Sequence, residues 1–338
     1  MNDDYLWDGS REPDPEIQRL ELLLGKLRHN RPAPEFPAKV VRFPWLAWLE
    51  FFPLRAAVAA MILLATGFWV ATRGPSSGWE VTSLEGRPLV GSDRISESGR
   101  LDVGEWLETD ATSRAKLKMG MVGEVELQPN TRVKLVKSRL TEHRVALERG
   151  TIHARIWAPP RLFSVETPSA LAVDLGCIYT LEVDRAGAGL LHTIVGWVGF
   201  EWKGRESFVP AGAACATRPG IGPGTPYFED ASEAFRASLA RFDFEPASPE
   251  ERAAAMDAVL TECRNRDALT LWHLLSRTTG GERARVYDRL ASLLPAPAGA
   301  TREGVLRGDK EMLDHWWDTL GLGEASWWRI WKGPYPTR

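Results

Sequence analysis

The sequence predicts a mainly β domain followed by an all-α module, with a single transmembrane helix ahead of both. Three observations carry that reading. Residues 56–72 form an uninterrupted apolar run, residues 79–209 hold short alternating runs broken by turns, and helical spacing returns after residue 231. A length of 338 residues suits about two domains with extensions. Lys plus Arg total 42 against 45 Asp plus Glu, a net charge of −3. That balance excludes a chain built to coat nucleic acid and also an acidic disordered one.

Residues 1–42 read as a short cytoplasmic segment. Asp14 can cap a helix over residues 15–28 that begins with Pro15 and carries Glu16 in its first turn. Ile17, Leu20 and Leu24 recur on one face, and Tyr5, Leu6 and Trp7 form an aromatic cluster just upstream. These six residues are the expected contacts for a cytoplasmic partner, and an inert juxtamembrane helix is the competing reading. Residues 43–55 place Trp45 and Trp48 where interfacial anchors sit.

The run 56–72 carries no charge and no proline. At 1.5 Å per residue it spans about 25 Å, a little short of a ~30 Å hydrocarbon core, and the flanking Arg55 and Arg73 can snorkel. Trp69 lies at its outer end, so Arg55, Trp69 and Arg73 are the expected membrane anchor. The run begins too far along the chain for a cleaved signal peptide. Basic residues crowd its N-terminal side, which predicts a cytoplasmic N-terminus and an extracytoplasmic bulk. The expected location is a bacterial inner membrane, single-pass, with residues 74–338 periplasmic.

Residues 79–214 read as a β domain, either a compact sandwich, a roll or a short β-solenoid. Strands are expected at 114–118, 123–127, 132–136, 143–148, 151–156, 177–183, 190–195 and 197–202, among others. Breaks such as Pro129-Asn130 and Arg149-Gly150 suit turns. Alternate positions carry charge of opposite sign on neighbouring strands, as in Lys116 with Glu124 and Glu126, so the outer face can pair electrostatically. Cys177 and Cys215 fall on the oxidising side of the predicted topology. Two readings stand for them, a disulfide pinning the exit of the β domain or a pair of buried free thiols.

An ordered set of motifs resembles the FecR-type domain. It starts at Val103-Gly104 and Leu107-Glu108-Thr109-Asp110 and runs through Val125-Glu126-Leu127-Gln128-Pro129-Asn130-Thr131. It continues with Val145-Ala146-Leu147-Glu148-Arg149-Gly150-Thr151, then Phe163-Ser164-Val165-Glu166-Thr167-Pro168, and closes on Val195-Gly196-Trp197. The family usually places Gly-Thr where this chain has Gly176-Cys177. The resemblance spans about residues 80–215 and implies an extracytoplasmic signalling or scaffold domain. In the best-understood relatives a short N-terminal region holds a cytoplasmic sigma factor, and the outer domain senses an outer-membrane transporter.

Residues 215–230 are rich in Gly and Pro and read as a linker, after which 231–338 form a Trp-rich α-helical module. Ser248-Pro249-Glu250-Glu251 is a strong helix start. Helices are expected to end near Phe242, Cys263, residue 277, residue 293 and residue 320, with a last one over 324–331. Trp316-Trp317 and Trp327-Trp328 are adjacent pairs that cannot both face inward, so Trp317 and Trp328 are the expected outer binding surface.

No catalytic pair, nucleophile elbow, phosphate loop, dinucleotide fingerprint or zinc spacing is present, so neither an enzyme, a metal nor a cofactor is expected. The favoured reading is a relay from an extracytoplasmic protein interaction to a cytoplasmic regulator such as a sigma factor. Its other partners are an envelope or outer-membrane protein and the lipid bilayer, with no nucleic acid. The rival is a non-enzymatic cell-envelope scaffold or glycan- or protein-binding protein anchored by its N-terminal helix.

Overall fold

A computed structural model of the chain describes residues 15–26, 78–245 and 248–323. The chain divides into two units, Met1–Phe68 and Trp69–Arg338. Within the first, helix α1 (Pro15–Gly25) starts on its proline, has Glu16 in its first turn, and ends at a glycine three residues earlier than the sequence suggested. Leu20, Leu23 and Leu24 on it are all more than half exposed.

In the second unit the alternating runs form two β-sheets that share one long strand, Glu142–Ile156. Its first half pairs with Arg132–Arg139 on one side and, in parallel, with Phe163–Glu166 on the other. Its second half pairs with Gly123–Leu127 and Ile178–Val183 in the other sheet. The crossing falls at Gly150, whose φ of +96° suits glycine and whose missing Cβ would lie 2.4 Å from the Thr131 backbone. Among the described residues every other pairing is antiparallel. One sheet continues outward through Gly189–Val195 to Ala213–Arg218, and the other through Leu171–Asp174 and Trp197–Trp202 to Arg205–Pro210.

Inward positions of both sheets merge into one core. Leu117, Val125, Ile152, Leu181 and Leu191 of the first sheet join Leu107, Val133, Leu135, Val145 and Leu147 of the second, all fully buried. Each contributes about 1.5–3 kcal/mol by leaving water. Outward positions pair by charge, with Lys116 Nζ 3.4 Å from Glu124, Arg155 Nη1 2.8 Å from the same carboxylate, and Arg132 3.0 Å from Glu148.

Residues 215–230 differ from the expected linker. Ala213–Arg218, Gly222–Pro223 and Tyr227–Phe228 are strands that extend the first sheet. Small residues that look like linker composition are here buried, Ala213, Ala214 and Cys215 among them, because this is where the helices pack.

Helices α2 (Glu233–Phe244), α3 (Pro249–Glu262), α4 (Ala268–Arg277), α5 (Gly280–Leu293), α6 (Arg302–Arg307) and α7 (Lys310–Asp318) follow. Ser232, Ser248, Thr301 and Asp309 cap four of them by accepting backbone N–H bonds, and Gly308 closes α6 in the left-handed region. The short α6 has no counterpart in the sequence-based expectation.

The expected transmembrane helix needs correction. Among the described residues no helix is long and apolar enough to cross a membrane. The longest, α3 and α5, have 14 residues each, where a span takes about 20. The run 56–72 and its anchors Arg55, Trp69 and Arg73 lie outside the described residues. The single-pass, inner-membrane topology and the periplasmic placement that rested on it are therefore unsupported.

Candidate binding surface

Four neighbouring strands of the first sheet end at one side of it. Gly123 pairs with Ile156, Ile178 with both Arg155 and Val195, and the Trp157 amide donates to the Val122 carbonyl at 3.1 Å. This register brings the Met121-Val122 turn, Trp157, Ile178 and the pair Ile194-Val195 to the same end of the sheet. Met121 is 92% exposed, Trp157 58%, Ile194 58% and Val195 52%. Single exposed apolar side chains are ordinary, but a contiguous row on adjacent strand ends marks an interaction surface. Local chemistry explains the exposure. The strand ends at Ile156, with Pro159 and Pro160 following, so Trp157 lies just past its end, and the bulge between Ile178 and Tyr179 leaves Ile194 out of register.

The rim is firmly held. Gly196, at φ +75°, packs so closely that a Cβ would lie 2.1 Å from the Gly176 carbonyl oxygen. Beneath it Asp174, 1% exposed, accepts from the Gly176 amide at 2.7 Å and from the Cys177 thiol at 2.6 Å. Burial pushes the Asp174 carboxyl up to about 7 and holds the Cys177 thiol well above its ordinary range. That thiol is thus neutral and no nucleophile. Arg155 with Glu124, and Lys118 with Glu80 at 3.9 Å, set charged pairs beside the apolar row.

The residues expected to carry function are distributed differently. Trp317 is fully buried, its ring 4.7 Å from Trp272 and 5.7 Å from Trp197, and its Nε1 donates to the Gly323 carbonyl. It seals the helices onto the sheet and offers no outer surface. Its neighbour Trp316 is buried too, against Tyr287. Both rings face inward because the tryptophans close α7 against two different walls. Trp328, Tyr5, Leu6, Trp7 and the Ile17 side chain lie outside the described residues, while Leu20 and Leu24 are exposed on α1.

The 177–215 disulfide is also corrected, since all three cysteines are free and buried. Ile178 pairs with Val195, and Cys215 with Leu191, so the two cysteines stand two strands apart and offset along them. Two strand spacings come to about 9.5 Å, beyond the ~7 Å Cα reach of a disulfide. Cys215 instead donates to the Gly224 carbonyl at 3.1 Å.

Sequence reasoning missed the rim. Ile194 and Val195 read as part of the strand over 190–195, and Met121-Val122 fall between two expected strands. The only signal was Trp157 followed at once by Ala158-Pro159-Pro160.

Residues 105–195 match the family model described as FecR protein. Over that stretch the chain carries a FecR-like domain. All four exposed rim residues lie inside the matched stretch. No curated protein matches the FecR-like chain. Two crystal structures of a candidate anti-sigma factor from Parabacteroides distasonis are similar to it, each at 14% identity and a TM-score of 0.33. They cover 40% of this chain, which spans 64% and 63% of theirs, less than two thirds in both cases. Among the described residues no three His, Cys, Asp or Glu side chains gather as a metal site. The membrane relay expected from the sequence loses its basis together with the spanning helix.

Proposed function

We propose that this FecR-like protein is a non-enzymatic scaffold that binds another protein through the rim of Met121, Trp157, Ile194 and Val195. The single observation behind this reading is the contiguous apolar row on adjacent strand ends. Its composition favours a protein over a glycan. Sugars stack on aromatic platforms flanked by hydrogen-bonding side chains, whereas here one Trp stands among Met, Ile and Val. Trp supplies a hot spot, Met adapts to an opposing surface, and the flanking ion pairs form a polar border. The partner accordingly presents apolar side chains at the centre of its own surface.

A photo-crosslinking amino acid at position 157 or 194, in the cells that make the protein, tests this. The expected result is a discrete heteromeric adduct from both positions, lost in Val195→Lys and absent when the probe replaces Arg139 on the other sheet. Mass spectrometry of the adduct then separates a regulatory protein, such as a sigma factor, from an envelope protein. Homodimer adducts alone, or none from either rim position, would sink the reading.

A further inference from the structure

A second feature shares no residue with the rim. Where the hairpin Trp197–Trp202/Arg205–Pro210 meets the helices, a cleft of about 720 Å3 opens. Its lining carries the cations Lys203, Arg205, Arg252, Arg277, Arg283 and Lys310 against the anions Glu206, Asp243 and Asp314. Its floor is apolar, built from Phe208, Phe242, Trp272 and Leu313.

The cationic excess is built in. Asp243, 2% exposed, serves both Arg205 at 3.1 Å and Arg277 at 3.6 Å, so one carboxylate faces two guanidinium groups. Arg277 is itself 7% exposed and donates to Thr225 Oγ1, Ser207 Oγ and the Glu206 carbonyl, yet its Nε has no partner. The Nε atoms of Arg205 and Arg283 are also buried without partners. Among the described residues Arg283 has no carboxylate within ion-pair distance, only the Leu306 carbonyl at 3.0 Å, and Lys203 has its ammonium over the Trp202 ring. Arg252 is balanced by Glu282 at 3.1 Å, but buried Arg277 has only a shared carboxylate and the more exposed Lys203 and Arg283 have none among the described residues, so an incoming anion is stabilised.

We propose that this cleft binds a short acidic peptide segment, whose carboxylates meet Lys203 on the hairpin tip and Arg283 at the helix corner while its apolar side chains lie along the floor. The placement of the cations favours a peptide over a compact oxyanion. Lys203 comes from the hairpin turn, Arg283 from α5 and Lys310 from α7, so the cations are contributed by separate elements, which suits carboxylates spaced along a chain. The volume falls within the range that holds a few residues. Lys203 sits at φ +46° and Gly204 at +81°, a tight hairpin turn that fixes the ammonium at the cleft mouth.

The test uses the full chain and a capped peptide of glutamates and leucines, with the same peptide bearing glutamine for glutamate and inorganic phosphate as comparisons. Calorimetric titration should show the acidic peptide binding, the glutamine version silent, and phosphate unable to displace it. Lys203→Asn, which keeps a residue tolerant of positive φ, and Arg283→Gln should each weaken binding about tenfold. If Arg283→Gln fails to fold, Lys203→Asn at the exposed tip carries the comparison. No binding, equal binding of the glutamine peptide, or undiminished binding in a folded variant overturns the proposal. Displacement by millimolar phosphate overturns it too, assigning the cleft to a simple oxyanion instead.

Discussion

Replacing His273 with Phe should reshape the acid side of the stability profile. The imidazole is 1% exposed, and its Nε2 accepts from the Phe208 amide at 3.0 Å, so Nδ1 carries the proton donated to the Leu269 carbonyl at 2.9 Å. Burial, reinforced by the nearby Arg277 charge, pushes its pKa down to about 3 from an ordinary 6.5. The folded pKa being the lower one, the unfolded chain takes up a proton first as the solution is acidified. Stability is then present in full above pH 6.5 and lost as pH falls toward 3. Between pH 7 and pH 4.5 the loss amounts to about 2.5 kcal/mol. At pH 7 the variant lacks the acceptor for the Phe208 amide and should be less stable by about 1–3 kcal/mol. On acidification that gap should close, because the variant no longer responds at this position. Urea unfolding followed by Trp fluorescence at both pH values reads the difference directly, with other titrating groups common to both proteins. A gap that stays constant across the range would show that His273 is not held neutral, and the reasoning would fail.

Asp174→Asn should act with the opposite sign: the folded carboxyl, raised to about 7, contributes stability below pH 3.8 that is lost as pH rises through 7. Relative to wild type, the variant should therefore gain about 2.6 kcal/mol between pH 5 and pH 8, measured by the same unfolding curves. Trp317→Ala should cost about 3–5 kcal/mol by opening a cavity against Trp272, Trp197 and Phe208, and near-ultraviolet circular dichroism should lose part of its Trp signal. Alkylation after denaturation without reductant should label Cys177, Cys215 and Cys263, and reductant should leave the unfolding temperature unchanged.

Much of the β architecture was legible because its signal is local. Alternation in Arg114–Lys118, Gly123–Leu127 and Arg132–Arg139 fixes which side chains face inward, and helix starts such as Ser248-Pro249 announce themselves through capping chemistry. What escaped is non-local. Ala213–Arg218 has linker composition, and only its pairing with Gly189–Val195 makes it a strand. The Trp316-Trp317 pair was read with one wall in mind, whereas α7 lies between two. The rim was invisible for the same reason, since Met121, Trp157 and Val195 are ordinary residues until the register sets them side by side. The cleft left one trace, an Arg closing the largely buried helix Ala268–Arg277.

That arginine explains why the helices and the sheet act as one body. An apolar interface alone tolerates sliding, since Leu, Phe and Trp gain similar area in several registers. Here the contact also contains directional ties. His273 accepts from the Phe208 amide, Thr270 donates to the Pro226 carbonyl at 2.7 Å, and Arg277 reaches Ser207 and Thr225 while Asp243 accepts from the Thr225 amide. Displacing α4 by one turn would strand each of these buried groups, at about 1–3 kcal/mol apiece and more for the charged ones. The ties therefore select a single docking of helix on sheet, which apolar burial stabilises without specifying. The same selection leaves Asp243 shared between Arg205 and Arg277, so the positive excess of the cleft is a direct consequence of how the helices are locked in place.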